Sequence, residues 1–152
     1  KVELLSAAIA RRETHRPARG RALGQPAPSG RRAAPPAGPI DLAALRETRA
    51  LLGEPSGALL NELIDLYLAD SAAVLETMRA AAGQSDATRL RKAAHKLKSS
   101  SIVVAAPTLA QLCDEIEQRA GEPGAGWRES IVPIEAELRR VRVALERERE
   151  RA

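Results

Sequence analysis

A histidine and a lysine three residues apart, His95 and Lys98, are the side chains of this chain best suited to chemistry. A neutral imidazole offers a ring nitrogen that acts as a nucleophile near neutral pH. If that nitrogen takes up a phosphoryl group, Lys98 lies one helical turn along and can pair with the new oxygens. A lone histidine in a helix is more often a residue without chemistry, so the prediction depends on these neighbours.

These residues lie in a helical pattern that runs from about Asp86 to Val104. Apolar and small residues recur there at spacings of 4, 3, 4 and 3 and predict one buried stripe: Leu90, Ala94, Leu97, Ser101 and Val104. His95 falls outside this stripe, so we expect it to face solvent. Five residues lie within about 60° of it on the helical wheel: Arg91, Lys92, Lys98, Ser99 and Ile102. We therefore expect cations to surround the ring and to disfavour its protonated form.

The same face has features of a docking surface. Ser99 is small enough to let a partner's backbone approach, and its hydroxyl can donate to a phosphate oxygen. Ile102 is apolar where water is expected. Arg91, Lys92 and Lys96 are candidates for contact with an acidic partner surface, although ordinary solvated helix charges explain them about equally well.

The run Ala94–Ser101 (Ala-His-Lys-Leu-Lys-Ser-Ser-Ser) resembles the signature of histidine-containing phosphotransfer (HPt) domains. The resemblance covers about residues 40–145, because residues 59–68 and 109–117 resemble the family's preceding and following helices. Two positions depart from the family pattern. Ser99 replaces the usual glycine after the lysine, and Ala105 or Ala106 replaces a later glycine. Both replacements are small, so we expect access for a partner to be retained.

The resemblance implies a phosphorelay function. It implies that His95 accepts a phosphoryl group from a receiver-domain aspartate and passes it to the aspartate of a response regulator. It implies that Lys98 stabilises the bound group. The receiver domain is expected to supply Mg²⁺, and we predict no cofactor and no metal site in this chain. No phosphate-binding loop accompanies these residues, so we expect no ATP-dependent activity of the chain by itself.

The predicted fold is all-α, an antiparallel four-helix bundle with a short extra N-terminal helix. Asp41 is a plausible N-cap of the short helix, which we expect to end near Leu52. Its predicted buried residues are Leu42, Leu45 and Leu52. A long helix follows to about Ala82, with a periodic stripe of Leu60, Ile64, Tyr67, Ser71, Val74 and Met78. Pro107 opens the next helix, and Pro133 is expected near the start of the last.

The domain boundaries are predicted from composition. Residues 1–12 are helical in pattern and resemble the end of a receiver domain, which would make this chain the C-terminal module of a hybrid sensor kinase. A helical remnant without that role is the alternative. Residues 13–39 are rich in Pro and Arg and predict a disordered linker. Residues 40–152 are assigned to the bundle.

Charge and composition exclude several functions. Residues 1–40 carry 8 Lys and Arg against 2 Asp and Glu, so the excess positive charge lies there, and residues 41–152 have a net charge of −2. We therefore do not expect a nucleic-acid-binding bundle. The single cysteine, Cys113, lies on an apolar stripe and is predicted to be an inert core thiol. No apolar run is long enough to cross a membrane, and we expect a monomeric, cytoplasmic module.

Two alternatives remain open from sequence. One is the dimerisation helix pair of a histidine kinase, although such helices usually place an acidic residue after the histidine, where this chain has Lys96. The other is a non-catalytic helical interaction module with an incidental histidine, whose Arg-rich tail contacts nucleic acid or acidic partners.

Overall fold

The computed structural model describes residues 38–53, 57–122 and 126–151. Within these ranges the chain forms five α-helices and no strand: α1 Leu42–Leu51, α2 Ala58–Gly83, α3 Ala87–Val103, α4 Pro107–Arg119 and α5 Trp127–Arg151. This confirms the predicted all-α class, with a short helix before four longer ones. The predictions made for residues 1–37 lie outside the described residues.

The four long helices pack as a bundle. α3 packs against both α2 and α4, and α5 closes the bundle against the same two helices. Arg79, near the end of α2, forms an ion pair with Glu135, in the first half of α5. Asp65, near the start of α2, forms an ion pair with Arg149, near the end of α5. The two helices are therefore antiparallel. Every residue of the stripe predicted on α3 is buried, as is every residue of the stripe predicted on α2. Burial of these side chains is the main source of stability for amphipathic helices.

One polar contact crosses the core beneath α3. The Tyr67 hydroxyl on α2 lies 3.1 Å from Ser101 Oγ on α3, and both residues are buried. Burial raises the pKa of the Tyr67 phenol, so it stays neutral. A buried hydroxyl without a partner is costly, and here each of the two hydroxyls supplies the other with a partner.

Two helices end in the same turn geometry. After α2, the N–H of Asp86 donates to the carbonyl of Ala81, and after α3 the N–H of Ala106 donates to the carbonyl of Ser101. This is the Schellman arrangement, which places a left-handed residue after the helix. Here that residue is not glycine: φ is +55° at Ser85 and +56° at Ala105. Ala105 or its neighbour Ala106 is the position at which the resemblance to HPt domains places a glycine.

Helix α1 packs against α2 and is hydrogen-bonded to the end of α3. Asp41 caps α1 by accepting from the N–H groups of Ala43 and Ala44, and its own N–H donates to the carbonyl of Ala105 at 2.7 Å. The predicted cap is therefore confirmed. Leu45 is buried as predicted.

The predicted burial of Leu42 is wrong. Leu42 is 40% exposed because it lies in the first turn of α1, beyond the edge of the bundle, and Leu52 is only half-buried. Thr48 is buried instead, and its hydroxyl lies 3.1 Å from the carbonyl oxygen of Ala44 and 3.3 Å from that of Val103. These acceptors satisfy the hydroxyl, so its burial costs little.

Helix α5 is longer than its apolar stripe. It begins at Trp127, so Pro133 lies in the second turn inside the helix rather than in its first turn. Pro133 has no N–H to donate to the carbonyl of Glu129, and it is exposed, so water can reach that carbonyl. The charged run at residues 146–151 stays helical. Among the described residues, no helix has a stretch long and apolar enough to cross a membrane.

We predict that Ser85→Gly stabilises the bundle. A left-handed φ costs an L-residue about 1–2 kcal/mol, and glycine avoids this cost. The greater conformational freedom of glycine stabilises the unfolded state by roughly 0.4–1 kcal/mol and offsets part of the gain. The free energy of unfolding in a denaturant titration should therefore rise by about 0.5–1 kcal/mol. Ser85→Ala is the control, because it keeps Cβ and should give no gain. A glycine variant no more stable than the serine protein would contradict this account.

Candidate functional site

His95 stands on the outer face of α3, in the middle of the helix. Its side chain is 61% exposed, whereas Ala94 and Leu97 on the opposite face are fully buried. The burial of this opposite face sets the rotation of α3, so the imidazole is turned outward. The predicted orientation of His95 is confirmed.

The nearest charged partner of His95 is an acid on the next helix. His95 Nδ1 lies 2.8 Å from Glu117 Oε1 on α4. The predicted ring of cations is therefore wrong, because the prediction considered only residues on α3. The ring therefore contacts a carboxylate on α4, where the prediction placed only cations.

Lys98 also turns toward α4. Its Nζ lies 2.5 Å from Glu117 Oε2, in an ion pair without the angle of an aligned hydrogen bond, and it donates to Asp114 Oδ1 at 3.0 Å. The Lys98 side chain is only 22% exposed, because it lies against these two acids. Contacts with Glu117 and Asp114 raise the pKa of the Lys98 ammonium.

The four charged or titratable side chains form one connected row, which we call the α3–α4 cluster: His95, Glu117, Lys98 and Asp114. Asp114 Oδ2 at its far end accepts from Gln118 Nε2 at 2.6 Å. Burial raises the pKa of the Glu117 carboxyl, but the contacts with Lys98 and His95 outweigh burial, and the net pKa is lowered. Glu117 is therefore ionised at neutral pH.

An ionised Glu117 fixes the tautomer of a neutral His95. The carboxylate only accepts hydrogen bonds, so Nδ1 must carry the proton and donate. Nε2 then keeps its lone pair on the exposed edge of the ring. The arrangement presents an oriented nucleophile to solvent with a charge-assisted hydrogen bond behind it.

The other residues predicted at the site lie around the same face, but they differ in their contacts. Lys96 forms an ion pair with Asp70 Oδ1 on α2 at 2.8 Å. Arg91 and Lys92 are exposed, and neither forms an ion pair within the described residues. Ser99 is half-buried, and Ile102 is exposed as predicted.

Glu117 and Asp114 were missed in the sequence, although a signal for them exists. α3 and α4 form an antiparallel hairpin, so residues equally distant from its turn face each other. Counted from Ala106, His95 lies eleven residues before and Glu117 eleven after, while Lys98 and Asp114 lie eight on each side. Pairing residues of α3 and α4 that are equally distant from the turn therefore predicts the contacts His95–Glu117 and Lys98–Asp114.

The described residues give little support for metal binding or for thiol chemistry. Within the described ranges, no group of three or more His, Cys, Asp or Glu side chains could hold a metal ion. Cys113 is fully buried, as predicted, and burial raises the pKa of its thiol to about 12. A thiol in that state is a poor nucleophile at neutral pH.

Comparison with known proteins identifies the family. The family model of the Hpt domain matches residues 62–148, which is more than half of the 152-residue chain and includes the α3–α4 cluster. The chain is also similar to the crystal structure of histidine-containing phosphotransfer protein B (HptB) from Pseudomonas aeruginosa. The two share 28% sequence identity with a TM-score of 0.69, over 76% of this chain and 98% of that one.

No curated protein matches the chain. The family match and the structural match agree on a histidine phosphotransfer domain. They support a histidine phosphotransfer role in a phosphorelay over the non-catalytic interaction module left open by the sequence. The chain belongs to the Hpt family of histidine phosphotransfer domains.

Proposed function

We propose that His95 is the phosphoacceptor of this domain. It accepts a phosphoryl group from the phospho-aspartate of a receiver domain and passes it to the aspartate of a response regulator. The observation that carries the proposal is the outward imidazole of His95, whose Nδ1 is held 2.8 Å from Glu117 and whose Nε2 is left open to a partner.

The transfer step follows from this geometry. The Nε2 lone pair attacks phosphorus, an N–P bond forms, and the P–O bond of the acyl phosphate breaks with its electron pair remaining on the receiver's carboxylate. The ring, protonated at Nδ1, gains positive charge as the bond forms, and the Glu117 carboxylate stabilises that charge. In the second transfer the same bond breaks in reverse, and the ring leaves as a neutral imidazole.

Lys98 is proposed to neutralise the bound phosphoryl group. Its ammonium lies one helical turn from His95, and it already contacts Glu117, which holds the ring. A phosphoryl group adds roughly −1.5 to −2 charge at neutral pH. One ammonium next to it offsets part of this charge and lowers the energy of the phosphorylated state.

The partner is proposed to be a receiver domain that docks on the exposed side of α3. Arg91 and Lys92 offer exposed positive charge to acidic residues of the receiver, and Ser99 and Ile102 offer a small and an apolar contact beside His95. Lys96 is a weaker candidate, because Asp70 already neutralises it. Such an arrangement steers association more than it adds affinity.

The same proposal covers the cofactor, the oligomeric state and the location of the domain. The receiver supplies Mg²⁺ with its own acidic pocket, so this domain brings no cofactor. We propose that the domain acts as a monomer in the cytoplasm, as a module of a hybrid sensor kinase whose receiver ends at residues 1–12.

The first test is labelling by a phosphorylated receiver. Wild-type protein should take up the phosphoryl group and His95→Gln should not, because the amide has no nucleophilic lone pair. The label should be lost in acid and retained in base, as expected of a phosphorus–nitrogen bond. A His95→Gln variant labelled as well as wild type would exclude His95 as the acceptor.

We predict that Lys98→Ala shortens the lifetime of phospho-His95 about tenfold, because it removes one charge-assisted contact of about 1.5 kcal/mol. The decay of labelled protein at fixed pH measures this lifetime. Lys96→Ala is the matched control, since it removes a lysine from the same helix whose partner lies on α2. Circular dichroism checks that the bundle stays folded. Equal lifetimes for wild type and Lys98→Ala would remove Lys98 from the site.

We predict that Glu117→Gln slows transfer to and from the receiver about tenfold. The amide can still accept from Nδ1, but the charge that stabilises the developing positive ring is lost. Stopped-flow or rapid-quench measurement of both directions tests this prediction. Glu115→Gln, two residues away on α4, loses the same charge and should transfer at the wild-type rate. Unchanged rates in Glu117→Gln would show that the carboxylate does not assist the step.

A further inference from the structure

Asp114 is a second acid of the α3–α4 cluster, and it has no part in the proposed transfer step. We infer that Asp114 is a positioning residue that competes with the phosphoryl group for Lys98 and thereby sets the lifetime of phospho-His95. This inference rests on the proposed function, because it assigns a regulator to the same site.

The contacts of Lys98 carry the first step of the argument. An ammonium group has three N–H donors. In this protein one points to Asp114 Oδ1 at 3.0 Å, and Glu117 Oε2 lies 2.5 Å from the same Nζ. Both acids are on α4, so two carboxylates of that helix hold the ammonium in the unphosphorylated protein. A phosphoryl group on Nε2 must therefore attract Lys98 against these two carboxylates.

The two carboxylates differ in how easily they release the lysine. Glu117 is 22% exposed and is fixed at its other oxygen by His95, so loss of Lys98 would leave a half-buried acid less well paired. Asp114 is 41% exposed and keeps a hydrogen bond from Gln118 at 2.6 Å. Water and Gln118 can satisfy Asp114 alone, so the Asp114 contact is the one that phosphorylation breaks.

The Lys98–Asp114 ion pair therefore affects the stability of phospho-His95. The stronger the Lys98–Asp114 ion pair is, the more interaction energy is lost when Lys98 turns to the phosphoryl group. That loss raises the energy of phospho-His95 relative to the free site. Asp114 therefore shortens the life of the phosphorylated state and favours passing the group on. Removing its charge should lengthen that life, whereas removing Lys98 should shorten it.

The test measures this lifetime without a receiver. Phosphoramidate phosphorylates imidazole directly: its P–N bond breaks as ammonia leaves, and a new P–N bond forms at His95. The label on His95→Gln gives the background from other residues. Decay of the label at fixed pH and ionic strength is then compared among wild type, Asp114→Asn, Lys98→Ala and the double variant. Glu115→Gln is the control for loss of one negative charge on α4.

Asp114→Asn should lengthen the lifetime of phospho-His95 about three- to fivefold, as expected for a partly exposed ion pair. Glu115→Gln should leave it unchanged. In the Lys98→Ala background, Asp114→Asn should change the lifetime by less than about 1.5-fold, because the two residues act through one contact. An unchanged lifetime in Asp114→Asn, an equal effect of Glu115→Gln, or a full effect without Lys98 would each overturn the inference.

The same experiment separates this inference from the proposed function. If the chemically labelled protein shows the predicted lifetimes but no receiver donates to it or accepts from it, the relay function fails and the role of Asp114 stands. If transfer occurs normally but the lifetimes do not follow the charges, the role of Asp114 fails alone. Absence of any chemical label on His95 would overturn both.

Discussion

The register between α3 and α4 depends on the turn at Ala105 and Ala106. The Ala106 N–H donates to the carbonyl of Ser101 at 2.8 Å, and the Asp41 N–H donates to the carbonyl of Ala105, so two hydrogen bonds hold this turn from both sides. A shift of one residue along either helix would rotate its side chains by about 100°. His95 would then lose Glu117. The geometry of the site is thus fixed by backbone contacts at the end of the hairpin.

Side chains from two helices determine the net charge of the site. α3 contributes His95 and Lys98, and α4 contributes Glu117 and Asp114, so the cluster has two carboxylates for one ammonium. An incoming phosphoryl group therefore meets less positive charge than the sequence of α3 alone indicates. Stable storage of a phosphoryl group would favour more cations here, whereas rapid exchange with a partner tolerates this balance.

The sequence was informative about the two long helices α2 and α3, where the signal is local and repeats over several turns. The stripes of α2 and α3 follow from the 3.6-residue period, and the outward position of His95 follows from the stripe on its own helix. Contacts between helices were not predicted, because they depend on the turn geometry that sets the register. Glu117 was missed for that reason. Thr48 was missed because its burial depends on an acceptor, the Val103 carbonyl, that belongs to another helix.

Cys113 gives this domain a built-in reporter of local opening. It is the sole cysteine of the chain, it lies on α4 one residue before Asp114, and it is fully buried. A thiol reagent can reach it only when α4 separates from the bundle, so the labelling rate under native conditions reflects the free energy of that opening. Since α4 also carries both acids of the cluster, this rate measures how firmly the unphosphorylated protein holds its site together.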